Sequence, residues 1–392
     1  MQQTLTAKMQ IVPQPSDRQL LLDAMKAYSD ACSFVSAYVH EHAMPLSQIR
    51  IHDAVYRTCR SNYALPSQMA ASVTRTVIAT YKTIRTNQKR HTKRFSKKKR
   101  HADIVPEFRA PQLSLVWNRD YSLVWNSDKS GKLFSVNTLK GRIKCGFRAD
   151  AMEWAFADGA KFGTAKLVFK HDKFFLHVPV TIEVPDAPDA SGHTRVVGVD
   201  RGIRFLATTY DGRKTTFHSG AQVKQKRAHY KQLRRRLQMR GTSSARRRIR
   251  TIGQRENRWM NDVNHCISKA LVCSNPEGTL FVLEDLTGIR GATERVRIKD
   301  RYTQVSWTYY DLEQKLAYKA KKYGSSMLSV DPAFTSQTCP ICGHVDKKSR
   351  RHETHTFKCT ACGYTTNDDR IGAMNLQRMG IEYLLKAQVS RE

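Results

Sequence analysis

The 392-residue sequence predicts a multidomain α+β and α/β protein: a β domain holding an inserted helical unit, then a mixed α/β sheet domain interrupted by a four-cysteine ribbon. Three observations carry that expectation. Apolar residues recur at helical spacing near the N-terminus and then give way to aromatic and β-branched runs. After a Pro- and Asp-rich linker, strands and helices alternate. Two Cys-x-x-Cys pairs follow a late strand.

Residues 3–12 alternate weakly and meet Pro13 and Pro15, so a short strand stops before a helix beginning at Ser16. Leu21, Met25, Tyr28, Cys32, Val35 and Val39 share one helical face. Met69, Val73, Val77, Tyr81 and Ile84 form another, after the turn signal Leu65-Pro66-Ser67. Residues 104–184 read as β structure, and Lys166–Lys170, a turn at His171-Asp172-Lys173 and Phe174–Val184 make the clearest hairpin. If the first strand joins that sheet, the helical unit is an insertion. Pro185–Gly192 reads as a linker. Beyond it come strands Arg195–Asp200, Phe205–Thr209 and Thr215–His218, with a turn at Asp211-Gly212, and then a long basic helical region. Strand Thr279–Glu284, a helix near Val305–Tyr323 and strand Met327–Val330 follow, in the order βββ, α, β, α, β of a mixed sheet.

Lys and Arg number 67 against 34 Asp and Glu, a formal charge of +33, while 40% apolar residues still allow a folded core. Such an excess opposes compaction unless a polyanion neutralises it, so nucleic acid is the expected partner. A membrane fits poorly, because no stretch approaches the ~18 apolar residues of a spanning helix. Met1–Pro13 lacks the apolar block of a secretory signal, and the expected location is the cytoplasm. Five cysteines (Cys32, Cys59, Cys145, Cys266, Cys273) stand singly and four stand in close pairs, a pattern of metal binding rather than of disulfides.

Asp200 and Glu284 each close a Val-rich or Leu-rich strand, and Asp369 precedes an amphipathic C-terminal helix carrying Ala373, Leu376, Met379 and Tyr383. Singly, an acid at a strand end is an ordinary turn residue or cap. Three acids projecting into one space repel one another and are tolerable when cations bind between them. Hard oxygen ligands suit Mg²⁺, and a pair of such ions supports in-line displacement at a phosphodiester, which is nuclease chemistry.

Cys339-Pro-Ile-Cys342 and Cys359-Thr-Ala-Cys362 are separated by 16 residues, with Gly343 and Gly363 after the pairs. This spacing predicts one structural Zn²⁺ with all four positions filled, leaving His344, His352 and His355 as surplus surface residues. Lys224–Arg258 holds fourteen cations and one acid, Glu256, beside an apolar side of Leu233, Leu237, Ile249, Ile252 and Trp259. A merely solvated face would mix signs, so Arg234, Arg235, Arg236, Arg240, Arg246, Arg247, Arg248 and Arg250 are candidates for phosphate contact. Lys89, Arg90, Lys93, Arg94, Lys97 and Lys98 are candidates on the same ground, within a run of ten cations from Lys82 to Arg100. The five tryptophans are taken as core residues, with no base-stacking role.

Val197-Gly-Val-Asp-Arg-Gly-Ile-Arg-Phe-Leu-Ala207, Val282-Leu-Glu-Asp-Leu286, Asp331–Gly343 and Cys362–Leu376 together resemble the TnpB family of insertion-sequence proteins, relatives of miniature type V CRISPR effectors. The resemblance implies an N-terminal β-barrel wedge domain (residues 1–14 plus 104–184) with an inserted helical recognition domain (15–103) and a linker (185–192). An RNase H-like RuvC nuclease domain (193–335 plus 366–392) follows, interrupted by a zinc ribbon (336–365) that binds target nucleic acid. It implies Asp200, Glu284 and Asp369 as the RuvC carboxylates and the four cysteines as the ribbon. The third motif departs from the family pattern, Asp-x-Asn-Ala-Ala-x-Asn, in having Ile371 and Gly372; the spacing of Asp369 to Asn375 is kept, and Asp368 stays a rival ligand. The implied activity is Mg²⁺-dependent cleavage of double-stranded DNA, directed by a guide RNA and a short flanking motif. A guide-bound repressor without cleavage, a CRISPR-associated effector and an RNA-independent strand-transfer transposase are the alternatives.

Overall fold

In the computed structural model the described residues are 1–92, 104–125, 132–149, 152–186, 192–286, 309–351 and 353–389, apart from the side chains of 88–92, Trp125 and Val389. They form two units, Gln2–Glu183 and, together with Met1, Val184–Glu392. Among them no helix is long and apolar enough to cross a membrane.

The first unit begins with strand β1 (Gln2–Val12), then helices α1 (Pro15–Glu41), α2 (Gln48–Asn62) and α3 (Ser67–Thr92). Strands β2 (Gln112–Leu115), β3 (Tyr121–Trp125), β4 (Lys132–Thr138), β5 (Gly141–Arg148), β6 (Lys161–Phe162), β7 (Ala165–Lys170) and β8 (Lys173–Glu183) follow. Their sheet runs β2-β7-β8-β1-β5-β4-β3, with β6 on β8. β1 lies between β8 and β5, paired from Gln2↔Glu183 to Ile11↔Phe174, so the helices are an insertion between two strands of one sheet. Ala7, Met9 and Ile11 of β1 and Leu176, Val178 and Val180 of β8 alternate inward, as the two-residue period of a strand requires. A bridge from Trp117, just past β2, to Tyr121 of β3 brings the two edges together, leaving a nearly closed barrel.

α1 starts with Pro at its first turn, where the missing N–H costs nothing. It buries Leu21, Met25, Tyr28, Cys32 and Val35, and the Tyr28 hydroxyl meets Thr76 Oγ1 of α3 at 2.7 Å. α2 has no counterpart in the sequence reading: only Ile51, Val55 and Cys59 are buried, too few to stand out as a stripe. Lys82 and Arg85 are exposed on α3. The side chains of Lys89 and Arg90, and all of Lys93, Arg94, Lys97 and Lys98, lie outside the described residues.

The second unit opens with β9 (Arg195–Asp200), β10 (Phe205–Tyr210) and β11 (Thr215–Ser219), then the long helices α4 (Ala221–Arg240) and α5 (Ser243–Cys273). β12 (Thr279–Glu284), α6 (Tyr309–Lys322) and β13 (Ser326–Val330) complete a sheet ordered β11-β10-β9-β12-β13. The expected helix start near Val305 lies outside the described residues. β9 pairs antiparallel with β10 and parallel with β12, so the chain crosses over through α4 and α5. One face, with Val197, Val199, Phe281 and Leu283, packs on Met260, Ile267 and Leu271 of α5 and Leu312 and Leu316 of α6. The other, with Val196, Leu280 and Val282, packs on the last helix, α7 (Asp368–Val389), through Leu376 and Leu384.

Glycine makes that last contact possible. A Cβ on Gly198 would stand 2.0 Å from the Ala373 carbonyl oxygen, and one on Gly380 would stand 2.5 Å from Val282 Cγ2. Between β13 and α7 lies a three-stranded ribbon of β14 (Arg350–Arg351), β15 (Thr356–Lys358) and β16 (Thr365–Asn367), and β16 runs directly into α7. Trp117 stacks on Phe162 at 4.5 Å, and Trp259 packs at the edge of the second unit's core beneath Lys226. Trp307 and the Trp125 side chain are outside the described residues.

Candidate functional site

Pairing of β9 with β12 runs in register to Val199↔Leu283, one residue short of both Asp200 and Glu284, so the two acids close neighbouring parallel strands. α7 is capped by Asn367, whose Oδ1 accepts from the Asp369 N–H at 3.0 Å and the Arg370 N–H at 3.3 Å. Its first turn lies over the strand ends: a Cβ on Gly372 would be 3.0 Å from Asp200 Cγ. Burial pushes the Asp200 carboxyl up to about 8, and the charges of Glu284 and then Asp369 push the same way. Asp369 is raised as well, by burial and then by Asp368, and among the described residues its buried Oδ2 has no hydrogen-bond partner. Asp200 thus lies near enough to feel the charge of both Glu284 and Asp369, in a space that favours positive charge.

Asp368 faces elsewhere. It is 2% exposed; its Oδ2 accepts from Arg350 Nε of the ribbon at 3.2 Å, and its Oδ1 lies 3.8 Å from His355 Nδ1. Two successive residues of one helix turn therefore serve different neighbours. His355 is thus no bare surface residue, whereas His344 is exposed and His352 is outside the described residues.

Other residues fasten the strand ends. The Arg201 side chain, 1% exposed, donates from Nη2 to the Glu284 carbonyl at 2.5 Å, and from Nη1 to Glu313 Oε2 at 2.8 Å and the Tyr309 carbonyl at 3.1 Å. It ties β9, β12 and α6 at one point. Thr335 Oγ1 donates to Glu284 Oε1. Asn375 Nδ2 donates to the carbonyls of Thr335 at 2.7 Å and Thr338 at 2.8 Å. Sequence reasoning assigned no role to Arg201, Glu313, Thr335 or Asn375. A cation directly after a strand-closing acid was the available signal for Arg201.

The four cysteines converge. Their sulfurs all lie within 4.8 Å of one another, with Cys339–Cys362 at 3.7 Å and Cys342–Cys359 at 3.6 Å. Four sulfurs at ~2.3 Å from a tetrahedral Zn²⁺ stand ~3.8 Å apart, so the set fits that ion. Both knuckles are built alike: Gly343 and Gly363 each have φ of 75°, and their N–H groups return to the carbonyls of Cys339 and Cys359. The backbone N–H of Cys362 and then that of Ala361 pull the Cys359 thiol down to about 6, toward the thiolate a metal needs.

α4 and α5 form a hairpin closed by Leu237, Ala245 and Ile252. Inside it Glu256, 5% exposed, pairs with Arg234 and with Arg227 at 3.5 Å. Arg234 is therefore held in an internal ion pair, while Arg235, Arg236, Arg240, Arg246, Arg247, Arg248 and Arg250 are exposed.

Residues 177–287 match the family model described as a probable transposase, OrfB_IS605, and residues 309–376 match the Cas12f1-like TNB domain. A TnpB-like protein of Methanocaldococcus jannaschii is 34% identical, over 31% of this chain and 43% of that protein. The putative RNA-guided DNA endonuclease InsQ of Escherichia coli K12 is 28% identical, over 53% of this chain and 54% of its own length. The chain is a TnpB-family protein. The CRISPR-associated endodeoxyribonuclease Cas12f1 of Sulfoacidibacillus thermotolerans is 36% identical, over 38% of this chain and 35% of that one. The TnpB-family chain thus matches between about a third and about half of the length of these curated relatives. Its fold is that of a Cas12f1 solved with guide RNA and target DNA, at a TM-score of 0.60 and 13% identity over 92% of this chain and 81% of that one. Asp200 and Glu284 fall in the first matched segment of this TnpB-family chain, and the cysteines and Asp369 in the second.

Proposed function

We propose that this protein is an RNA-guided DNA endonuclease in which Asp200, Glu284 and Asp369 hold Mg²⁺ and the four cysteines hold a structural Zn²⁺. The observation that supports the reading is that Asp200 lies within the charge of Glu284 and Asp369, with its carboxyl raised to about 8 and, among the described residues, a buried Asp369 oxygen without a partner. Mutually repelling carboxylates of this kind fit a divalent cation. When bound, a pair of such ions supplies charge stabilisation to the attacking and leaving oxygens of a phosphodiester.

The chain's own residues set the stage for that chemistry. Arg201 fixes the backbone where Glu284 leaves its strand, and Asn367 fixes the first turn from which Asp369 projects. Gly372 leaves the Asp200 carboxylate the room it occupies. One Zn²⁺ held by all four ribbon sulfurs would be architectural, with no place left for a reacting water. Exposed arginines of α4 and α5 grip phosphate backbone, which positions guide RNA and its heteroduplex without reading sequence. Base pairing to the guide supplies specificity, and the protein reads a short flanking motif on duplex DNA.

The test is plasmid cleavage by protein purified with its copurifying RNA, in Mg²⁺. Wild type cuts at sites matching the guide, and Asp200→Ala lowers the rate by ~10³-fold or more, because several kcal/mol of charge stabilisation are lost at 1.36 kcal/mol per factor of ten. Equal cutting by Asp200→Ala would remove the assignment. Guide-dependent binding without cutting would favour the repressor reading, and joined transposon ends without RNA would favour strand transfer.

A further inference from the structure

Among the described residues, Glu284 differs from the other two acids in having its carboxylate held by a side-chain hydrogen bond. Among the described residues its donor is the Thr335 hydroxyl, which lies outside the α/β sheet, in the segment that leads from β13 into the first cysteine knuckle. Thr335 is 4% exposed. Its hydroxyl also lies 3.0 Å from the Pro332 carbonyl, but one O–H donates one strong bond, and an ionised carboxylate is the stronger acceptor. A carboxylate held at one oxygen keeps a fixed rotamer and presents the other oxygen in a fixed direction.

Thr335 is itself held from two sides. Asn375, 1% exposed on α7, spends both amide protons on carbonyls of this segment, those of Thr335 and Thr338. It does so with its own Oδ1 buried and, among the described residues, without a partner, a cost of about 1–3 kcal/mol. On the other side the Phe334 carbonyl accepts from Gln337 N at 2.9 Å, Thr338 N at 3.0 Å and Thr338 Oγ1 at 2.9 Å. Those bonds lock a turn in which Phe334 has a left-handed φ of 61°, uncommon for a bulky side chain. The next residue after Thr338 is Cys339. A continuous series of bonds therefore runs from the first sulfur ligand to Glu284.

We propose that Thr335 is a positioning residue that orients Glu284 for its divalent cation, and that Asn375 holds Thr335 in place from α7. This rests on the metal-binding reading of the three acids. The role is that of an outer partner which aims a ligand, and removing such partners typically costs roughly 10–100-fold in metal affinity. It also gives the Asp369-to-Asn375 spacing a physical meaning: one helix supplies a ligand from its first turn and, nearly two turns later, the brace for another.

The test uses the whole protein and Mn²⁺ alone as the probe, with binding read by electron paramagnetic resonance. Wild type binds Mn²⁺ at a site lost in Asp200→Ala. Thr335→Val, close in shape but without the hydroxyl, weakens that site by about tenfold or more, while Thr335→Ser stays within about twofold of wild type. Asn375→Ala weakens it in the same direction. Zinc content stays at one per chain in both Thr335 variants, and their melting temperatures match wild type. Wild-type affinity in Thr335→Val, or an equal loss in Thr335→Ser, would overturn the positioning role while leaving the carboxylate site standing. So would loss of zinc in Thr335→Val, because the effect would then be general. Absence of any Mn²⁺ site dependent on Asp200 in wild type would instead overturn the metal-binding reading, and the positioning role with it.

Discussion

The ribbon and the carboxylate site, both suited to cations, are built by opposite means. The ribbon's ligands span Cys339 to Cys362, two like knuckles whose glycine turns present sulfur through local backbone bonds. The carboxylates come from Asp200, Glu284 and Asp369, and only the parallel register of β9 on β12 and the glycine-mediated seating of α7 bring them together. A local site folds around its ion, since binding free energy there is folding free energy. A site made by sheet topology exists before its ion, and the apo protein carries the repulsion. The two should therefore respond in opposite ways when a ligand is removed.

The largest expected effect lies in the ribbon. Cys359→Ser removes one of four ligands from a module whose metal contributes about 10 kcal/mol or more. Zinc content should fall from one per chain to near zero, and protease should cut within 339–367, while hydrogen exchange in β9 and β12 stays slow. Unaltered zinc content would break the contrast at its root. The next effect lies in the sheet. Arg201→Met leaves the partly buried Glu313 without its cation and the Glu284 carbonyl without its donor. Breaking such a pair costs about 3–5 kcal/mol, so the melting temperature should fall by about 10 °C or more. A fall of less than about 3 °C, measured by calorimetry, would show that Arg201 does not fasten the strand ends.

The same contrast explains what could be read in advance. The cysteine spacing was legible because chemistry and geometry are both local, and the structure brings the four sulfurs together. The β domain with its helical insertion was legible because β1 and β8 alternate and α1 and α3 carry long apolar stripes, and its barrel form came only with the family resemblance, whereas α2 offers three buried apolar positions and passed unseen. From the residues themselves Asp200 and Glu284 were legible only as strand-end acids, and Asp369 only as an acid before a helix. What separates Asp369 from Asp368 is an ion pair with Arg350, eighteen residues away across the ribbon, and no periodicity announces it. Arg234 shows the reverse: within a run of cations it looks like its neighbours, and only the fold shows that it serves Glu256. Thr335 and Asn375 were invisible for a third reason, because their partners are a carboxylate and backbone carbonyls on other elements.

The smallest effect concerns the repulsion itself. In the metal-free protein Asp200, raised to about 8, binds its proton more tightly when folded than when unfolded. Its contribution to stability is fully present below the unfolded value near ~4 and is lost as pH rises through about 8. Other groups confuse a plain pH scan: His218 and His265 are lowered by burial, and Lys319 is lowered to about 8, so each adds stability as pH rises. The difference between Asp200→Asn and wild type cancels them. Asp200→Asn should melt close to wild type near pH 4, gain on it as pH rises, and level off about 3–6 °C higher above pH 8. That is well short of the limiting ~1.4 kcal/mol per pH unit for one proton, because Arg350 and the Arg201 N–H offset part of the cost of the charged carboxylate. Millimolar Mg²⁺ should erase the advantage by stabilising wild type alone. An Asp200→Asn protein that melts below wild type at pH 8 without metal would mean that the three acids do not repel, and the distinction between a site folded by its ion and one strained in its absence would fail.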